Sequence, residues 1–291
     1  MPIYRPNELF SFLAKENLAP KKGLSQNFLI DGNIIRKIVE EADVQAGDFI
    51  VEIGPGPGVL TEAMLDKGAS VLAIEKDSGF ADKLTRFQDK GRLTILNEDI
   101  LEVDIAAEIK KMGVEGPLKV ISNLPYHITT PIIVKLLAMG KAFSSIVVMV
   151  QEEVAQRFAG KPKTKEYGSI TVFLSFFADV RYGFKVKRSC FMPQPKVDSA
   201  IVIFHPKDPP IQDEEQQTRF LHLVRLAFNQ RRKTLRSALE REHEKALVVK
   251  ALKQANFSDC ARAEELSLDE FLLFYSSLLL VEKEQPEKPA S

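Results

Sequence analysis

Two short segments carry residue types that could do chemistry together. In the first, Ser122-Asn123-Leu124-Pro125-Tyr126, a side-chain amide ends an apolar run and is followed by an apolar residue, a proline and an aromatic ring. Asn-x-Pro can be merely a turn. Its acceptors also suit a harder task, which is to hold both hydrogens of an aromatic amine. The lone pair of such an amine is delocalised into the ring, and nitrogen must turn pyramidal to attack an electrophile. The side-chain oxygen of Asn123 and the backbone carbonyl of Leu124 would be the acceptors. Pro125 would stiffen the loop that aims them, and Tyr126 would stack on the base. Asn has no useful basicity, so no general base is assigned and the proton would pass to water after attack.

The second segment, F-I-V-E-I-G-P-G-P-G over residues 49–58, is a strand-like run entering a glycine turn, where a ligand can approach the backbone closely. Such a turn alone is shared by dinucleotide, flavin and nucleotide binders. Here Glu52, Gly54, Gly56 and Gly58 form E-x-G-x-G-x-G rather than G-x-G-x-x-G, and no Lys-Ser/Thr pair follows to make a phosphate loop. Two acids extend the pattern. Glu75 ends the next apolar run, where a carboxylate can accept from both hydroxyls of a ribose, and Asp99, followed by Ile100, comes after the run beyond it, where it can accept from an adenine amine. Either acid alone could be a solvated strand end. Together with the turn they fit S-adenosylmethionine, a cofactor without phosphates whose sulfonium methyl is the electrophile that the Asn123 loop would serve.

A base inside a duplex cannot reach such a pocket. It must be unstacked, at roughly a few kcal/mol, and stacking on an aromatic ring returns about 1 to 3 kcal/mol. Phe191, beside Pro193 and Pro195, is the second stacking candidate, with a core aromatic as the plainer alternative.

The elements that would position these residues alternate. Asp31 is a candidate N-cap for a helix with apolar positions Ile34, Ile35, Ile38 and Val39. Strand-like runs follow at 49–53, 71–74, 93–96, 120–122 and 146–150, mostly separated by enough chain for a crossover helix. The expected class is α/β: a Rossmann-like parallel sheet of the S-adenosylmethionine-dependent methyltransferase type, with a small all-helical C-terminal domain. Runs 170–177 and 199–204 read as the last strands of that sheet. The expected boundaries are a basic arm at 1–26, a catalytic domain at 27–207, a helical RNA-binding domain at 213–281 and a disordered tail at 282–291.

Composition limits the alternatives. The 291 residues carry 40 basic and 40 acidic side chains, so bulk charge does not draw the chain to nucleic acid. Local charge does: residues 219–236 hold six Lys/Arg and no acid. No apolar stretch of about 18 residues and no leader-like start is present, so neither a membrane span nor secretion is expected. The two cysteines, Cys190 and Cys260, have no partner pattern, which points to neither a disulfide framework nor a metal site and favours the cytoplasm. No internal repeat is seen, and nothing suggests an obligate dimer, so a monomer is expected.

Taken together, these residues resemble the ribosomal RNA adenine dimethyltransferase family, in its branch acting on the small subunit. The resemblance spans nearly the whole chain. It includes Leu24-Ser25-Gln26-Asn27-Phe28-Leu29, the Glu52 to Gly58 loop, Asn123 to Tyr126, Gln151-Glu152-Glu153-Val154, Tyr167-Gly168, the run from Phe191 to Ser199 and the run from Ala227 to Thr234. It implies that Asn27, Leu29, Gly54, Glu75, Asp99 and Asn123 line the cofactor site. It also implies that the substrate is a pair of adjacent adenines in a hairpin loop near the 3′ end of small-subunit RNA, each receiving two methyls. Two departures stand out: Ser25 replaces a usual Gly, and His127 replaces a frequent Asn.

For RNA contacts the candidates are Lys21 and Lys22 in the arm, and Arg225, Arg231, Arg232, Lys233 and Arg236, with Arg225, Arg232 and Arg236 expected on one helix face. Lys161, Lys163 and Lys165 form a second patch. Three other readings share much of this pattern: a DNA adenine methyltransferase, a large-subunit RNA dimethyltransferase, and a factor that mainly occupies immature small subunits. The 227–234 segment argues against the first two, and the 191–199 segment against the second as well.

Overall fold

The computed structural model describes residues 3–24, 26–230 and 232–284. Its strands are β1 (Phe28–Leu29), β2 (Phe49–Ile53), β3 (Ser70–Ile74), β4 (Leu93–Leu96), β5 (Leu118–Asn123), β6 (Phe143–Gln151), β7 (Ala178–Val186), β8 (Phe191–Met192) and β9 (Ser199–Pro206). Seven of them form one sheet in the order β4-β3-β2-β5-β6-β9-β7. From β4 to β6 all neighbours are parallel, while β9 runs antiparallel to both β6 and β7. The order reverses between β3-β2 and β5, so the crevice at the carboxyl end of β2 is the natural ligand site of this topology.

The helices are α1 (Pro6–Lys15), α2 (Gly32–Glu41), α3 (Val59–Asp66), α4 (Ser78–Leu84), α5 (Ile105–Lys111), α6 (Thr129–Leu137), α7 (Glu152–Phe158), α8 (Ser169–Phe177), α9 (Glu214–Phe228), α10 (Leu235–Ala238), α11 (Lys245–Gln254) and α12 (Leu268–Lys283). Strand β2 is buried at every position, as expected where helices cover both faces of a sheet. Asp31 caps α2 as expected, accepting from Asn33 N–H at 2.9 Å and Ile34 N–H at 3.3 Å.

The chain divides into two compact units. One comprises the residues up to Ala155 together with Ala178–Lys207, and the other Gln156–Phe177 together with the residues from Asp208 onward. This redraws the expected boundaries at three points. The arm before Gln26 belongs to the sheet unit, because α1 buries Leu9 and Leu13 against Phe28 and Phe80. Run 170–177 is helix α8, not a strand. It is apolar without alternation, so periodicity cannot separate a buried helix from a buried strand there. Its Val172 and Phe176 join Phe220, Val224, Leu252, Phe271 and Phe274 in the core of the helical unit, with Phe176 stacked on Phe220 at 5.2 Å. The strand lies instead at Ala178–Val186, whose charged Asp179, Arg181 and Lys185 mark the edge of the sheet. Finally, Glu282 and Lys283 are the last residues of α12, so the expected tail starts too early, and residues 285–291 lie outside the described residues. Ser267 and Glu270 begin α12 with a reciprocal capping box.

Candidate active site

The carboxyl ends of β2, β3 and β5, the loop after β4 and the Leu24–Leu29 region line one cavity of the sheet unit. The three turn glycines all adopt the left-handed backbone, at φ 64°, 54° and 80° for Gly54, Gly56 and Gly58. Their surroundings separate their roles. A Cβ on Gly58 would meet Phe87 Cε2 at 2.6 Å, and one on Gly56 would meet Phe28 Cε1 at 3.0 Å, so both are required by packing. A Cβ on Gly54 would find nothing nearer than Pro125 at 3.9 Å. Gly54 is the position at which the turn lies open to a ligand.

Three carboxylates face this cavity in different states. Glu75 is 5 % exposed and accepts from Gly56 N–H at 2.9 Å and Asp77 N–H at 2.8 Å, one bond to each oxygen. Burial raises its pKa and these backbone bonds oppose the rise. Each oxygen keeps a further lone pair for a hydroxyl donor. Glu52 is 2 % exposed and accepts from Thr61 Oγ1 at 2.5 Å; burial pushes its pKa up to about 8. Asp99 is the opposite case. It is held below the usual carboxylate range by Lys76, which donates to Oδ2 at 2.7 Å, while Oδ1 accepts from Leu101 N–H at 3.0 Å. Leu29 and Ile100 line the cavity as buried apolar walls.

Asn123 ends β5. Its Nδ2 donates to the backbone carbonyl of Asn27 at 3.1 Å, which fixes the amide plane and leaves Oδ1 buried without a partner. A buried acceptor that no protein group satisfies is costly, about 1–3 kcal/mol, and is ordinarily met by an ordered water or a ligand donor. Leu124 is held by its N–H on the Met149 carbonyl at 3.1 Å, and Pro125 follows at φ −63°. Tyr126 lines the cavity with its Oη 2.7 Å from Ser199 Oγ, so its ring is anchored at the far end.

Phe191 does not join Tyr126. It is 2 % exposed and packed in the sheet core, opposite Leu29 in the β1–β8 pair, so its ring is not available to a base. The neighbouring Pro193, Gln194 and Pro195 do line a second cavity, together with Gln26, Asn27, Tyr126, His127 and Gln151. The loop that the proline pair marks therefore lines this second cavity, but without the Phe191 ring.

The basic residues fare unevenly. Arg225 is exposed in the last turn of α9, and Arg232 and Lys233 are exposed in the turn that follows. The helix does not continue to Arg236: α9 stops at Phe228 and α10 starts at Leu235, so the expected single face is broken. Arg236 is part-buried, pairs with Asp259 at 3.5 Å, and has a buried Nε without a partner. Arg231 lies outside the described residues, as does the side chain of Lys22. Lys21 is committed elsewhere, with its ammonium 2.9 Å from Asp77 Oδ1. Sequence reasoning missed Asp77, Lys76 and Gln26, all in or beside the cavity wall. The signal available was Asp77 as a helix N-cap just after Glu75, a capping position that concealed a second role.

Comparison with known proteins places the whole chain. Residues 17–279 match the family described as ribosomal RNA adenine dimethylase. The ribosomal RNA small subunit methyltransferase A of Protochlamydia amoebophila is 49% identical over 285 residues, covering 97% of this chain and 100% of that protein. The protein of the same name from Chlamydia felis is 48% identical, covering 94% and 95%. Among solved structures, 23S rRNA methyltransferase ErmE superposes with a TM-score of 0.67 at 25% identity, covering 87% of this chain and 99% of that one. A dimethyladenosine transferase from Plasmodium falciparum shares the fold, with a TM-score of 0.71 at 24% identity over 88% and 98%. With a family match over most of its length and relatives near half identity, the chain belongs to the ribosomal RNA adenine dimethylase family.

Proposed function

We propose that this protein transfers methyl groups from S-adenosylmethionine to the N6 amines of two adjacent adenosines in the 3′-terminal hairpin loop of small-subunit (16S) ribosomal RNA, as a step in ribosome biogenesis. The observation that carries the reading is Asn123 Oδ1, an unmatched buried acceptor at the end of a central strand, beside an anchored aromatic ring. The names of the relatives near half identity favour the small subunit as the source of that amine.

The cofactor fits the residues present. Gly54 leaves space against the backbone, Glu75 keeps acceptor capacity for ribose hydroxyls, and Ile100 and Leu29 supply apolar walls. When bound, S-adenosylmethionine supplies an electrophilic methyl. The protein does the rest by placement. Asn123 Oδ1 accepts a hydrogen bond from one amine N–H and the Leu124 carbonyl is assigned the other, which turns the nitrogen pyramidal and draws its lone pair out of conjugation; neither oxygen takes the proton, which passes to water after transfer. Tyr126 stacks on the extruded base while Ser199 holds its hydroxyl. Asp99 serves the adenine amine of the cofactor only by sharing oxygens already bonded to Lys76 and Leu101. Exposed Arg225, Arg232 and Lys233 are proposed to meet RNA phosphates. Among the described residues no helix is long and apolar enough to cross a membrane.

The deciding experiment is transfer of labelled methyl groups to unmethylated small subunits by the natural protein and by Asn123→Ala. Two methyls on each of two adjacent adenines, lost in the variant, is the expected result. Transfer to large-subunit RNA or DNA instead would overturn the assignment.

A further inference from the structure

Asn123 works through the direction of its amide plane, and the group that sets this direction comes from a distant part of the chain. The acceptor for Nδ2 is the carbonyl of Asn27 at 3.1 Å. An amide has nearly the same shape with its oxygen and nitrogen exchanged, so packing alone does not choose between them; the hydrogen bond does. The location of the Asn27 carbonyl therefore decides whether an acceptor or a donor faces the substrate amine.

On one side Asn27 leads into β1, a strand of two residues paired with β8. On the other it follows Gln26, whose side chain is tied at both ends. Gln26 Nε2 donates to Asp77 Oδ2 at 3.0 Å, and Oε1 accepts from Lys21 N–H at 2.7 Å. Asp77 is 3 % exposed, and its other oxygen accepts from Lys21 Nζ at 2.9 Å and from Gly79 N–H at 3.1 Å. Asp77 thus fastens the segment ahead of Asn27 to the end of β3, where its own N–H also meets Glu75.

We propose that Gln26 and Asp77 are positioning residues for methyl transfer: their hydrogen bond holds the Asn27 carbonyl where it keeps Asn123 Oδ1 turned toward the substrate amine. The inference rests on the role proposed above for Asn123. Neither residue touches the reacting atoms. Loss of their bond frees the amide to present a donor to a donor, so it acts on turnover more than on RNA capture.

An exchange of partners tests this. Gln26→Glu sets two carboxylates against each other, while Gln26→Glu combined with Asp77→Asn restores the bond with donor and acceptor exchanged. Asn can still cap α4. The single variant is expected to lose about tenfold in kcat, the scale of one hydrogen bond to a charged group, with KM for the RNA little changed. The double variant regains most of that loss, and Gln26→Ala, which only deletes the contact, shows the same split more weakly. A second readout needs neither cofactor nor RNA: hydrogen exchange of the Asn123 side-chain amide by NMR, its signal identified by its absence in Asn123→Ala. Exchange is expected to quicken in Gln26→Glu and to slow again in the double variant. A Gln26→Glu protein that keeps both kcat and amide protection overturns the proposal. So does a double variant that is as thermally stable as the natural protein yet regains neither. Failure of the natural protein to methylate small subunits would sink the function proposed above instead, and the amide signal would still report on the Gln26–Asp77 bond.

Discussion

The cavity at the end of β2 and the basic turn between α9 and α10 use polar groups in opposite ways. In the cavity they are buried and aimed before any ligand arrives: Glu75 by two backbone N–H groups, Asn123 by one carbonyl. In the turn, Arg232 and Lys233 stand exposed. The cavity suits a reaction that depends on fixed geometry, and the turn suits a polyanion whose phosphates are met by charge alone. Under the function proposed above, the difference makes selectivity for the reacting amine and attraction to the RNA separable, and variants of the two regions test that separation.

The largest test of that separation is Asn123→Ala, expected to lower kcat by about a hundredfold or more, as removal of one aimed polar group at a reacting atom does, while RNA affinity in a filter-binding assay stays near that of the natural protein. Glu75→Gln comes next. It halves the acceptor capacity facing a ribose, and cofactor affinity measured by calorimetry should fall about tenfold, with RNA affinity again unmoved. Arg232→Ala with Lys233→Ala inverts the pattern: RNA binding weakens and its dependence on salt flattens by about one unit of log–log slope per contact removed, while cofactor affinity holds. If these two changes lowered cofactor affinity as well, the separation would be broken.

The smallest effect concerns Glu52. Its folded pKa of about 8 lies above the ordinary carboxylate value, so the folded state binds the extra proton between those limits. Its contribution to stability is therefore full below about pH 4.5 and is lost as pH rises through about 8. The natural protein's Tm is expected to fall relative to that of Glu52→Gln over this window, and equal pH profiles for the two proteins would refute the assignment.

The parallel half of the sheet was legible because its short apolar runs end in polar or glycine positions and recur with enough chain between most of them for a crossover helix; it was the alternation of segments, not any one run, that pointed to strands. Helix α8 was not legible, since Ile170–Phe177 carries only Thr171 and Ser175 among apolar residues, too little polarity to fix a period, and strand β7 hid behind its edge charges. At the site, residue types announced Glu75 and Asn123, whose chemistry is local. The sequence could not show that Lys21 belongs to Asp77 or that Phe191 is core, because each depends on a partner far along the chain. Arg236 was misread for a related reason: the broken helix that turns it inward depends on where α10 begins, not on the spacing of the arginines.

The helical unit is assembled from two stretches of chain, with α8 supplied from inside the sheet's own sequence, between β6 and β7. Removing everything beyond Lys207 would therefore not release a clean catalytic fragment. It would strand Tyr167, Val172 and Phe176 without Phe220, Leu252 or Phe271 to cover them, leaving a sticky apolar helix on the remainder. The excursion works as an interlock: because one segment of the sheet unit's own chain completes the second unit's core, neither unit can be exchanged as an independent module.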